Sequence, residues 1–150
     1  MNKTKSFIEI SKIVAERSKD PNKKNGAVIV SFDGRTLSTG YNGFPFVEEK
    51  YGNNDNIYSW TKSDDFEMDR LSYVVHAEAN AILNFRGYAR ELEDSTIYTT
   101  QIPCNECAKL IVQSGIKNVV YLEDEDKPRA RVAKKIMNYA GVKLSQYNEE

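Results

Sequence analysis

The stretch that decides the architecture is Ser95-Thr-Ile-Tyr-Thr-Thr-Gln-Ile-Pro-Cys104-Asn-Glu-Cys107-Ala-Lys-Leu-Ile-Val-Gln-Ser-Gly115-Ile-Lys-Asn-Val-Val-Tyr-Leu122. Residues 95–100 are rich in β-branched and aromatic side chains and read as a strand. Residues 104–113 read as a helix that Ser114-Gly115 closes, because glycine accepts the left-handed backbone at a helix end. Residues 117–122 carry Val119-Val120-Tyr121 and read as a second strand. Strand, helix and strand in that order predict parallel neighbours in an α/β layered domain.

Working outward, residues 127–140 read as a helix closed by Gly141, with a last strand over 142–147. Upstream, Gly26-Ala27-Val28-Ile29-Val30 is a short apolar strand. The turn signal Asp33-Gly34 and a partner strand over 35–41 follow it, giving an antiparallel hairpin that makes the sheet mixed. Residues 3–18 read as an amphipathic helix stopped before Pro21. Residues 73–85 read as another, with Ala79, Ile82 and Leu83 on its buried side. Between 44 and 69 the periodicity dissolves. This segment holds seven acidic residues against Lys50 and Lys62 and reads as an acidic insert or long loop, a class that is often functional. The expected organisation is one domain over 1–150, a length that supports one sizeable core.

Charged residues make up 29% of the chain, its formal net charge is −1 and its pI is about 6.0. No overall basic field draws nucleic acid or an anionic membrane. No apolar run approaches the roughly 18 residues of a membrane span. Phe7, Ile8, Ile10, Ile13 and Val14 follow the basic start with amphipathic spacing, unlike a signal peptide. Two cysteines three apart in such a chain indicate a reducing compartment, with the cytoplasm as the default.

The chain has one histidine, His76, and two cysteines, Cys104 and Cys107. That inventory excludes a disulfide-stapled fold, and a Ser-His-Asp hydrolase would have to use His76 itself. Cysteines three apart in a first helical turn share one face, and a helix N-terminus favours their thiolate form. His76 supplies a third ligand from a second helix start. Three protein ligands with one open position is the catalytic zinc pattern, in which a water molecule is acidified to about neutral pH. Glu78, two residues from the histidine, is the natural proton carrier. Alone, the cysteine pair is equally a redox couple, half of a structural zinc site or two small buried residues. Alone, His76 is an ordinary partly buried histidine and Glu78 a surface charge. Together they form the H-x-E…P-C-x-x-C signature of zinc deaminases.

Several further segments resemble the deoxycytidylate (dCMP) deaminase family. They are Arg17-Ser-Lys-Asp-Pro21, Gly26-Ala-Val-Ile-Val30, Thr39-Gly-Tyr-Asn-Gly-Phe-Pro45, Tyr73-Val-Val-His-Ala-Glu-Ala-Asn-Ala-Ile82, Pro103-Cys-Asn-Glu-Cys-Ala-Lys-Leu-Ile111 and Ser114-Gly-Ile-Lys-Asn-Val-Val-Tyr121. They run in the family's order over nearly the whole chain. The resemblance implies a cytidine deaminase-like three-layer fold, with a mixed five-stranded sheet covered by helices. It implies one Zn2+ per chain on His76, Cys104 and Cys107, with Glu78 as general acid/base. It places Asn42 against the deoxyribose and the Ala77 backbone against the base. Tyr121 matches an aromatic wall of the family's pocket and equally an ordinary strand aromatic. The basic cluster around Arg17, Lys19, Lys23 and Lys24 makes Ser18 and Lys19 the phosphate candidates, with Lys24 behind them; basic residues between 127 and 135 read as a solvated helix face.

The implied activity is hydrolysis of dCMP to dUMP and ammonia, in a homo-oligomer, commonly a hexamer in the family. The family also implies dCTP, with Mg2+, and dTTP as effectors. Asn25 stands where the family usually has valine, the acidic insert lacks close resemblance, and no cysteine or histidine is left for a second zinc site. The alternatives are a bifunctional dCMP/dCTP deaminase, a tRNA-editing or nucleoside deaminase, and a binding module that has kept the fold. The acidic insert disfavours a nucleic-acid substrate, and intact Glu78 disfavours a binding module.

Overall fold

The computed structural model describes residues 1–149. Its centre is β1 (Gly26–Val30), buried at all five positions, the pattern of a strand covered on both faces. It pairs antiparallel with β2 (Thr36–Tyr41) on one side and with β3 (Thr96–Gln101) on the other. The strands β3, β4 (Asn118–Glu123) and β5 (Lys143–Gln146) run parallel, completing a five-stranded sheet in the order β2-β1-β3-β4-β5. The α/β class and mixed sheet expected from the sequence are therefore those of the molecule.

Alternation along the strands builds two cores. Ala27, Ile29, Ile97 and Val119 face a layer made by α3 (Ala77–Asn84), α4 (Asn105–Ser114) and α5 (Pro128–Tyr139). Val28, Val30 and Tyr98 face Ile8 of α1 (Lys3–Ala15) on the opposite side. The result is helix, sheet and helices in three layers. Among the described residues, no helix is long and apolar enough to cross a membrane.

Three local expectations are corrected. The first helix ends at Ala15 rather than 18: Glu16, Arg17 and Ser18 close tighter turns onto the carbonyls three residues back. The helix expected over 73–85 starts only at Ala77, because Val75 exchanges backbone hydrogen bonds with Gly43 (2.7 and 3.0 Å) and His76 is extended. The buried face also differs from the expected one. Ala77, Glu78, Ala79 and Ala81 are buried, whereas Leu83 is 65% exposed.

The insert has more structure than its composition suggests. It contains a 3-10 turn (Glu49–Tyr51) and α2 (Asn54–Ile57), capped by the Asn53 side chain. A 3-10 turn over Arg70–Ser72, capped by Asp69, follows it. An aromatic chain ties it down: Phe44 lies 4.1 Å from Trp60 and 5.2 Å from Tyr58, and Tyr58 lies 5.4 Å from Tyr73, centroid to centroid. Stacked and tilted pairs at these separations are attractive beyond the area they bury.

Candidate metal centre and active-site cavity

His76 and Cys104 are the N-cap residues of α3 and α4, and neither uses its side chain to cap. Both side chains are thereby free to point at a common point, and Cys107 joins them from the first turn of α4. His76 Nδ1 lies 3.3 Å from Cys104 Sγ and 3.4 Å from Cys107 Sγ, and the three ligand atoms lie within 4.8 Å of one another. A tetrahedron with zinc–nitrogen and zinc–sulfur bonds of about 2.0 and 2.3 Å has an N···S edge of about 3.6 Å. The cluster fits zinc with small adjustments. Both cysteines are free thiols.

The proton arrangement of the cluster also suits a metal. The Cys107 thiol donates to Cys104 and, with help from His76, holds Cys104 well below the usual thiol range despite burial. Cys107 is correspondingly pushed up by its bond to Cys104 and by burial. His76 is raised, chiefly by its hydrogen bond to Cys104, with burial opposing. A metal cation replaces the shared proton and makes both sulfurs thiolates. Glu78 is 6% exposed, and burial raises its carboxyl above the usual range, with the His76 charge opposing. A carboxyl held closer to neutrality is better matched to giving and taking protons.

These residues open onto a cavity of about 340 Å³, within the usual size of small-molecule sites. His76, Ala77, Glu78 and Cys104 line it, as do Asn42 and Asn25. Asn42 is buried and nearly saturated. Its Nδ2 donates to Asp20 Oδ2 (3.1 Å) and to the Lys23 carbonyl (3.0 Å), and its Oδ1 accepts from the Asn25 N–H (2.9 Å). One lone pair of Oδ1 remains, so Asn42 meets a further ligand as an acceptor. The N–H of Ala77, in the first turn of α3, has no acceptor within the helix.

The other expected residues lie elsewhere. Ser18 is buried outside the cavity lining. Its hydroxyl donates to the Asn42 carbonyl (2.8 Å) and accepts from the Asp20 N–H (3.2 Å). Lys19 is exposed and pairs with Asp55 at 2.5 Å. Lys24 faces Glu16 at 3.7 Å. Tyr121 packs with Ile102 and Ala130, so that Ile102, and not the tyrosine ring, forms the wall.

Sequence reasoning missed part of the lining. Asp20 organises the loop after α1, accepting from the Asn22 N–H (2.7 Å) and the Lys23 N–H (3.3 Å). Arg70 reaches the cavity from the end of the insert. Lys127 and Arg129, expected on a solvated helix face, also line it. Arg129 is gripped by Glu125 through two bonds of 2.7 and 3.1 Å. Glu125 in turn accepts from Gln101 Nε2 (2.7 Å), and Asn25 Nδ2 donates to Gln101 Oε1 (3.3 Å). Asn25 is thus a polar link in the cavity wall, a role valine at that position would not fill. Within the Ser-Lys-Asp-Pro segment, it is Asp20, and neither Ser18 nor Lys19, that lines the cavity.

A helix–sheet–helix fold with a His/Cys/Cys cluster at two helix starts and a buried glutamate beside it defines a zinc-dependent deaminase of the cytidine deaminase-like class. The profile of the cytidine and deoxycytidylate deaminase zinc-binding region matches residues 1–123. A Drosophila melanogaster protein described as a "probable deoxycytidylate deaminase" is 44% identical over 149 residues, covering 94% of this chain and 70% of that one. Human deoxycytidylate deaminase is 37% identical over 144 residues, covering 94% and 77%. The crystal structure of dCMP deaminase from the cyanophage S-TIM5 in complex with dCMP and dUMP superposes with a TM-score of 0.75. It is 23% identical and 95% of each chain is covered, a likeness of fold. The chain belongs to the dCMP deaminase family. It is an enzyme of that family, a hydrolase acting on the C–N bond of a cyclic amidine.

Proposed function

We propose that this chain hydrolyses dCMP to dUMP and ammonia, supplying the precursor of thymidylate. The observation that carries the reading is the meeting of His76, Cys104 and Cys107 beside buried Glu78 at the wall of one cavity. When bound there, zinc supplies the acidity that makes a water molecule nucleophilic at neutral pH. The remaining work falls to the chain. Glu78 accepts a proton from that water and delivers it to ring nitrogen N3 while the oxygen adds to C4. It then carries the second proton to the exocyclic amine, the C4–N bond breaks, and ammonia leaves. The Ala77 N–H orients the base, and Asn42 Oδ1 accepts from a deoxyribose hydroxyl.

Homo-oligomeric assembly, a cytoplasmic location and control by dCTP with Mg2+ and by dTTP belong to the same reading. A second cavity of about 380 Å³ supports the regulatory part. It adjoins the Gly-Tyr-Asn-Gly-Phe segment and is lined by Arg17, Tyr41, Gly43, Phe44, Asn80 and Asn84 among others.

The test is to incubate the purified zinc-loaded protein with dCMP, dCTP, deoxycytidine and a tRNA anticodon hairpin, following ammonia release. dCMP is the expected preferred substrate, and exclusive turnover of the hairpin would refute the assignment. Equal turnover of dCTP would make the enzyme bifunctional. If neither dCTP nor dTTP changes dCMP kinetics, the regulatory part fails. Light scattering reads the assembly.

A further inference from the structure

The insert is acidic overall, yet it and the turn that follows it bring two cations to the cavity, Lys62 and Arg70. Their placement is built. The Arg70 N–H donates to the Thr61 carbonyl (3.1 Å), and Asp69 accepts from the N–H groups of Ser63 (3.0 Å) and Leu71 (3.3 Å). These bonds lock residues 61–63 to residues 69–71, and the Phe44–Trp60 and Tyr58–Tyr73 contacts hold the unit against the fold.

The cations of the cavity are not equally engaged. Lys23 pairs with Glu123, Arg129 is held by two bonds to Glu125, and Lys127 lies 4.0 Å from the same carboxylate. Arg70 differs. Its side chain is only 15% exposed, its one carboxylate neighbour is Asp20 at 4.0 Å, and its Nε is buried with no partner among the described residues. Asp20 Oδ1 already accepts from Asn22 and Lys23 and its Oδ2 from Asn42, and at 4.0 Å that Oδ2 lies beyond hydrogen-bond reach of the guanidinium. Among the described residues, Lys62 has no carboxylate within 4.0 Å. A buried guanidinium donor without an acceptor is rare in a folded protein. Its planar fork matches the oxygens of a phosphate.

We infer that Arg70, assisted by Lys62, is the anion anchor of the cavity and selects substrates that carry a phosphate monoester. The inference rests on the proposed deamination for its assay but assigns a specificity to residues outside the zinc motif. The insert thereby becomes part of the substrate site.

The experiment compares the full-length protein with Arg70→Ala, Arg70→Lys and Lys62→Ala. Turnover of dCMP and deoxycytidine is measured, and dUMP binding is measured separately by calorimetry. Loss of charge-assisted bonds to a phosphate is expected to lower the dCMP-to-deoxycytidine ratio of kcat/KM by about 100-fold in Arg70→Ala and about tenfold in Lys62→Ala. Most of the change should lie in KM. Arg70→Lys should recover part of it, and dUMP affinity should fall in parallel. A ratio within about twofold of the parent in Arg70→Ala, or equal losses on both substrates, overturns the inference. Should Arg70→Ala not fold, an unchanged ratio and dUMP affinity in Lys62→Ala and Arg70→Lys overturn it equally. A parent protein that leaves dCMP intact overturns the deamination reading instead, and calorimetry with dUMP still decides the role of Arg70.

Discussion

Gly40 lies where β2 passes closest to α3. A Cβ at that position would stand 2.3 Å from the Ala81 nitrogen, 2.4 Å from the Ala77 carbonyl oxygen and 2.8 Å from the Asn80 carbonyl carbon. All three are main-chain atoms of the helix that carries Glu78, so no side chain can rotate away. Ordinary contact begins near 3.4 Å, and Gly40→Ala must therefore push α3 back by about 1 Å. The helix is tied to the strand by Asn80 Nδ2 to the Tyr41 carbonyl (2.8 Å), Asn84 Nδ2 to the Thr39 carbonyl (2.9 Å) and Ser38 to the Ala81 carbonyl. These bonds stretch as it retreats. Overpacking of this kind costs about 1–3 kcal/mol, which for a chain of this size lowers Tm by about 3–10 °C. The same retreat draws His76 and Glu78 away from the cysteines on α4, and a 1 Å misplacement costs on the order of 100-fold in rate. Thermal unfolding, zinc content and dCMP turnover measured on one preparation separate these effects. Gly43→Ala is the control, because a Cβ there meets nothing within 4 Å. A Gly40→Ala protein that melts within about 1 °C of the parent and keeps its activity would refute the reasoning.

Glu78→Gln is expected to bind zinc with parental stoichiometry and lose about 100- to 10,000-fold in kcat, the range of a lost general acid/base; near-parental turnover removes Glu78 from that role. Asn42→Ala leaves the Asn25 N–H and one oxygen of Asp20 without their partner. It should cost about 1–3 kcal/mol, read in a urea titration, and an unchanged midpoint would show that water replaces the amide. Arg129 holds Glu125 below the usual carboxylate range, against burial. The ionised carboxylate therefore adds stability above its unfolded value of about 4.3, and that stability is lost as pH falls through its lower folded value. The Tm of the parent should accordingly fall more steeply below about pH 4.3 than that of Glu125→Gln. Parallel acid limbs would contradict the pairing.

Much of the fold is legible in the sequence because its signals are local. Residues 95 to 122 form strand, helix and strand as their local composition indicates, and Gly115 closes the helix in its left-handed conformation at φ 92°. The His/Cys/Cys cluster is legible because its three residues sit in two short motifs. The start of α3 is not legible, since the bridge between Val75 and Gly43 joins residues far apart in the chain. Nor is the exposure of Leu83, which the helical period alone would bury. Arg70 and Arg129 lack a spacing signal for the same reason: their meeting depends on how the insert and the start of α5 fold over the sheet. Asn25 stood out as a departure from a family pattern. Its bond to Gln101 now gives that departure a physical content.

The two helices that carry the His/Cys/Cys cluster begin without a capping side chain, whereas α1 and α2 begin with asparagines whose side chains accept from the first turn. A serine or aspartate at either start would follow the ordinary rule for lengthening a protein's survival on heating. At these two positions the rule collides with the chemistry, because the residue to be replaced is His76 or Cys104. Efforts to make this enzyme hardier must therefore work on the rest of the scaffold. The beginnings of α3 and α4 mark where durability and activity compete for the same side chain.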